Sequence, residues 1–244
     1  MERFFNYVGA KLAQYLSKPS SHYEQFSVLS QQQLVDTLRP CDLLLIEGNS
    51  RISTAIKYLT QSTWSHICLF IGDHNGEKRL IEADLVDGIC SVPLSKYEGY
   101  NMRICRPVNV TDADKKQLLN YTIERIGHRY DTKNIIDLMR YLIPTPPVPS
   151  RYRRSLIAFG SGDPTKAICS TLLAQAFQSI GYPILPRQIA VSSSEEGRAI
   201  DNLVLEQRHF SHFTPRDFDL SPYFQIVKPT IEANFDYQNL EWKQ

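Results

Sequence analysis

The sequence predicts an α+β fold, an antiparallel sheet of about five short strands packed against helices. Three features point to it. Five short runs, at 41–48, 65–72, 79–85, 88–94 and 101–107, are rich in β-formers and bounded by Gly, Asn or Pro. The last four follow one another through tight links, the pattern of an antiparallel meander. Segments with apolar residues at helical spacing lie before, within and after this set.

Each element has a local reason. Phe4, Val8, Leu12 and Leu16 recur every fourth residue, widened by Phe5 and Tyr15, and draw a stripe down an N-terminal helix that Pro19 stops. Packing on the domain is the ordinary use of such a stripe, while Arg3, Lys11 and Lys18 also suit a peripheral contact with lipid headgroups. Residues 20–33 read as a linker or short irregular helix. The apolar run closed by Gly48 has the pattern of a buried strand, and Ile52, Ile56 and Leu59 then follow at helical spacing behind a cap at Asn49 or Ser50. Thr111 caps a helix with acidic residues in its first turn; Leu118, Leu119, Thr122, Ile123 and Ile126 line one face and Gly127 ends it. A further helix over 134–143 runs into the prolines of 144–149, which favour an extended loop, and Arg151, Arg153 and Arg154 follow. A helix over 166–181 is closed by Gly181, Pro183 and Pro186. Phe210, Phe213, Phe218, Tyr223 and Phe224 have neither helical nor alternating spacing, which predicts an extended arm anchored by aromatics.

Composition bounds the function. A chain of 244 residues with 42% hydrophobic content buries one sizeable core. Its 27 basic and 26 acidic residues nearly cancel, against a nucleic-acid footprint. Five cysteines, an odd number without a C-x-x-C pair, argue against a disulfide framework and a zinc ribbon and for a reducing compartment. No His/Cys cluster has ligand spacing, so neither metal nor cofactor is expected. No apolar run reaches the roughly 18 residues that span a bilayer, and the N-terminus lacks the features of a signal peptide. A cytoplasmic or membrane-surface location is therefore expected.

Thiolate chemistry needs a nucleophile of lowered pKa, a base, and a third group that fixes the imidazole. Cys169 falls in the first turn of the 166–181 helix, behind Asp163, Pro164 and Thr165, where free N–H groups and the positive dipole end favour a thiolate. His66 opens an otherwise apolar strand. Glu82, on the next strand, is the third candidate, with Asp84 as a rival on its face. Strand parity tests the pair. A three-residue turn through Asp73, His74 and Asn75 sets His66 opposite Glu82 on one face, whereas a two-residue turn on Asn75 and Gly76 sends them to opposite faces. Asn-Gly is the stronger turn signal, yet the pairing requires the longer loop. Cys68 is a rival nucleophile without dipole assistance, and His128 a rival base only if the helix end reaches the cleft.

The order of CDLLLIEG, WSHICLFIG, RLIEADLVDGI, GHRYD and AICSTLLAQAF resembles the circularly permuted branch of the NlpC/P60 papain-like superfamily, the YiiX/YebB-like cysteine hydrolases, over about 40–186. The resemblance implies a permuted papain-like fold in which the histidine strand precedes the cysteine helix. It maps Cys169 as nucleophile, His66 as base and Glu82 as orienter, and implies amidase or peptidase activity. Tyr130 resembles a tyrosine that lines the substrate pocket in relatives. The long segment between Tyr130 and Cys169 is less family-like.

The expected organisation is an N-terminal helix and linker over 1–35, a catalytic domain over 36–190 with a proline-rich insertion near 141–165, and an arm over 191–244 on the same domain. The expected function is hydrolysis of an amide, in a peptide or N-acyl amino acid, by a Cys-His-Glu triad. A lipid-directed thioesterase or acyltransferase, as in the related lecithin:retinol acyltransferase-like branch, and a non-catalytic binding module are the alternatives. The partner is then a small-molecule, peptide or acyl-lipid substrate.

Overall fold

A computed structural model of the chain describes residues 15, 17–18, 30–84, 86–128, 168–191, 202–233, 236 and 238. Along them run helix α1 (Gln31–Thr37), strand β1 (Leu43–Ile46), α2 (Arg51–Thr60), β2 (His66–His74), β3 (Glu77–Asp84) and β4 (Gly88–Pro93). A 3-10 turn (Leu94–Tyr97) leads to β5 (Met102–Pro107), α3 (Asp112–Ile123), α4 (Ile168–Ser179), β6 (Arg187–Val191) and β7 (Asn202–Glu206). A second 3-10 turn (Phe210–His212), α5 (Pro215–Leu220), β8 (Phe224–Val227) and α6 (Pro229–Glu232) complete the order.

The predicted α+β class is found, with one more strand in the main sheet than the five expected and a two-stranded ribbon besides. The main sheet has six strands in the order β4-β3-β2-β1-β5-β8, antiparallel at every pairing, and β6 and β7 form a separate ribbon. Alternation divides the sheet's side chains between two cores. Leu43, Leu45, Ile67, Leu69 and Cys105 share one with Leu173, Ala174 and Phe177 of α4 and with Phe213, Phe218 and Phe224. Leu44, Ile46, Cys68, Phe70, Leu80, Met102 and Ile104 share the other with Leu34 of α1 and with Leu94 and Tyr97 of the first 3-10 turn.

The β2–β3 hairpin departs from the expected geometry in a way that matters for the site. Its turn is the two-residue one: His74 pairs with Glu77, and Asn75 (φ 57°) and Gly76 (φ 81°) both take the positive φ of a type I′ turn. That turn alone would send His66 and Glu82 to opposite faces. A β-bulge corrects the parity. Gly72 pairs with Arg79 but Phe70 pairs with Leu80, leaving Ile71 as the extra residue, and from there Leu69 pairs with Ile81. Glu82 thus shares the face of Cys68 and His66, diagonal to His66 rather than opposite it. Gly72 holds φ 94° at this bulge, and a Cβ there would meet Pro40 Cγ at 3.4 Å. Gly72→Ala is expected to cost about 1–2 kcal/mol through left-handed strain, read as a lower urea midpoint.

Other differences are local. The stretch 20–33, expected as a linker or short irregular helix, leads at its end into α1, which runs from Gln31 to Thr37 because Ser30 and Gln33 make a reciprocal capping box. The helix expected to end at Gly127 ends at Ile123, with residues 124–127 in turns, and its expected apolar face splits: Leu118 and Thr122 are buried, but Ile123 and, beyond the helix, Ile126 are 46% and 39% exposed. The stretch beyond 191, expected as an extended arm, contains α5, edge strand β8 and α6, because its prolines start short helices rather than forbid them. The N-terminal stripe through Leu12, the 134–143 helix, the 141–165 insertion with its arginines, Asp163 to Thr165, and Tyr130 lie outside the described residues.

Candidate active site

Glu82 is the centre of the site. It sits in the middle of the β-meander, paired with Cys90 of β4, and is 1% exposed. A carboxylate so buried needs its lone pairs occupied. His66 Nε2 donates to its Oε2 at 3.1 Å and the Cys68 thiol donates to the same oxygen at 3.4 Å. The Tyr97 hydroxyl also donates to Oε2, Lys96 Nζ donates to Oε1, and the Cys90 thiol reaches Oε1 at 3.9 Å. The first 3-10 turn brings Lys96 and Tyr97 to Glu82 together, and the Tyr97 ring lies 6.0 Å from the His66 ring.

Cys169 is the second residue in the described part of α4 and is 5% exposed. The next residue anchors the helix, since Ser170 Oγ donates to the Phe213 carbonyl at 2.7 Å. His66 is the first residue of β2, at the sheet's end, where a side chain packed on either face has access to it. Its ring is within hydrogen-bonding reach of both the Cys169 and Cys68 thiols. With Nε2 turned to Glu82, Nδ1 is the nitrogen left for sulfur.

The electrostatics follow from this crowding. Burial acts to raise the Glu82 carboxyl, but the hydrogen bonds and charge of His66, then Lys96 and Tyr97, outweigh it and hold Glu82 well below the usual carboxylate range. Burial acts to lower His66, but the neighbouring sulfurs of Cys68 and Cys169 outweigh it and hold the imidazole well above its ordinary range. Burial pushes Cys68 itself up to about 12, and its thiol donates to Glu82.

The sequence candidates are therefore divided. His66 meets Glu82 directly, and its ring is within reach of the Cys169 thiol. Asp84 does not join them: its Oδ1 accepts from the Val86 and Asp87 backbone at 2.7 and 3.2 Å and closes the β3–β4 turn. His128 is exposed, its carbonyl paired to the Ile89 N–H at 2.9 Å. All five cysteines are free thiols. Lys96 and Tyr97 were not singled out in the sequence, where a lysine and a tyrosine after a strand carry no sign of a carboxylate one strand away. The expectation that no cluster offers metal-ligand spacing needs correction: one donor atom each from His66, Cys68 and Glu82 lie within 4.8 Å of one another. The spacing was invisible because Glu82 enters across the bulged hairpin.

No family model matches this sequence, and no curated protein does. The chain is similar to the solved structure of metalloprotein YiiX from Escherichia coli O157:H7, at 16% identity over 78% of this chain and 96% of that one, with a TM-score of 0.47. The chemistry of the site rests on its own side chains. Among the described residues, no helix is long and apolar enough to cross a membrane.

Proposed function

We propose that this protein is a papain-like cysteine hydrolase acting on an amide bond, in a peptide or an N-acyl amino acid. The observation that carries the proposal is the chain of contacts from Cys169 through the His66 ring to the buried Glu82 carboxylate. In this reading Cys169 is the nucleophile, His66 first holds its proton and then gives it to the leaving amine, and Glu82 fixes the ring through Nε2. The Cys169 thiolate adds to the carbonyl carbon, the tetrahedral intermediate expels the amine as His66 protonates it, and water activated by His66 then cleaves the thioester. Backbone N–H groups at the start of the cysteine helix are suited to stabilise the oxyanion, a role worth about 3–4 kcal/mol per donor.

A thiolate held by an imidazolium reacts with iodoacetamide well below the pH at which an ordinary thiol does, near 8.5. The rate of carboxamidomethylation at Cys169, followed by peptide mass spectrometry from pH 5 to 10, is expected to stay high below pH 7. A single titration near 8.5 at Cys169 would instead mark an ordinary thiol and a non-catalytic role.

A further inference from the structure

His66 Nε2, Cys68 Sγ and Glu82 Oε2 have the spacing of a metal face. With zinc bond lengths of roughly 2.0–2.1 Å to nitrogen, 2.3 Å to sulfur and 2.0–2.2 Å to oxygen, a tetrahedral ion places N and O ligands about 3.4 Å apart and S and O ligands about 3.6 Å apart. His66 Nε2 lies 3.1 Å and Cys68 Sγ 3.4 Å from Glu82 Oε2, and all three atoms fall within 4.8 Å of one another. Small outward shifts of the side chains convert a hydrogen-bonded cluster into a coordinating one. The donor set of imidazole, thiolate and carboxylate suits a borderline-soft divalent cation and not a hard one. Cys68 and Glu82 are buried, whereas the His66 side chain is 20% exposed and offers a way in. Lys96 bonds the other oxygen, Oε1, and so stays clear of Oε2, which accepts from the Tyr97 hydroxyl as well.

We infer that His66, Cys68 and Glu82 form a binding site for a divalent cation of the zinc class, its fourth position left to water. The cation replaces two donors on Oε2, the Nε2–H of His66 and the S–H of Cys68, and both protons leave to solvent; no electron is transferred. Cys68 thereby has a use that the hydrolase reading does not give it. A bound cation also takes His66 Nε2 from Glu82, so metal binding and thiol catalysis exclude each other. The inference rests on donor geometry and stands whether or not the chain is a hydrolase.

The test is a zinc titration of the reduced, chelator-stripped full chain against a chromophoric chelator, with cobalt as a spectroscopic substitute. One zinc per chain is expected, with a cobalt spectrum that includes thiolate-to-metal charge transfer. Cys68→Ser is expected to weaken zinc by more than the roughly 10–100-fold that loss of an outer-shell partner costs, while Cys41→Ser, whose thiol donates to the Lys115 carbonyl away from Glu82, leaves it unchanged. Equal zinc affinity in the wild type and a folded Cys68→Ser variant would overturn the site. So would absence of the charge-transfer band in the wild-type cobalt titration, a readout that needs no variant. Iodoacetamide reactivity of Cys169 measured in excess chelator reports on the hydrolase reading alone, so the two fail separately.

Discussion

Cys169→Ala is expected to abolish labelling by an electrophilic acyl probe and to lower turnover of a cleavable acyl substrate by about 10⁴–10⁶-fold, the usual consequence of deleting the nucleophile of a triad. The fold should survive. Cys169 is small, and the adjacent Ser170 anchors α4 to the Phe213 carbonyl independently. The informative control is Cys68→Ala. Cys68 also lies beside His66, but it sits inside a strand, burial pushes it up to about 12, and it faces the Glu82 carboxylate. Probe labelling should therefore persist in Cys68→Ala and vanish in Cys169→Ala. The reverse pattern, seen by intact-protein mass spectrometry, would transfer the nucleophile to Cys68 and defeat the assignment.

Glu82→Gln is expected to act on stability as well as rate. The amide still accepts a hydrogen bond, but it is neutral, and its N–H₂ faces donors wherever it is turned toward Lys96, Tyr97 or His66. Removing one partner of a buried charged network costs about 3–5 kcal/mol; Lys96, whose side chain is 41% exposed, can rehydrate and moderates this to about 2–4 kcal/mol. The pH dependence distinguishes the mechanism. Because the folded protein holds Glu82 below its ordinary value of 4.5, its contribution is fully present above that pH and lost as pH falls. Because it holds His66 above 6.5, that contribution is present below 6.5 and lost as pH rises through the higher folded value. These two groups therefore favour the fold most between about 4.5 and 6.5. Urea midpoints across pH should show the acid limb flattened in Glu82→Gln, with a rate loss of at least about 10²-fold at neutral pH, the scale of a mis-set imidazole. A variant with wild-type stability and an unchanged acid limb would remove Glu82 from the network.

Much of the framework could be read from residue pattern because its causes are local. Thr111 and Ser50 accept the N–H groups that start their helices, Gly181 takes φ 69° after the cysteine helix, and the β-rich runs between Gly, Asn and Pro became strands. The aromatic tail was harder to read. β8 exists because Phe224 to Val227 find the free edge of β5, and an edge partner more than a hundred residues away leaves no periodic trace in so short a run.

The site shows the same division more sharply. The sequence by itself determined the nature of the reactive groups: a cysteine early in an amphipathic helix, a histidine opening an apolar strand, and an acidic residue on the neighbouring strand. It also carried Asn75-Gly76 as the stronger turn signal, which taken alone forbids the His66–Glu82 contact and which the pairing was expected to override with a three-residue loop. Only the tertiary structure decided that the contact is made, by inserting Ile71 as an extra residue and thereby shifting every side chain beyond it to the other face. It alone brought Cys68, Lys96 and Tyr97 to the same carboxylate. The physical reason is that turn and cap preferences are set by a few adjacent residues, whereas the demand of one buried charge for partners is met from whichever strands and turns the completed sheet places around it.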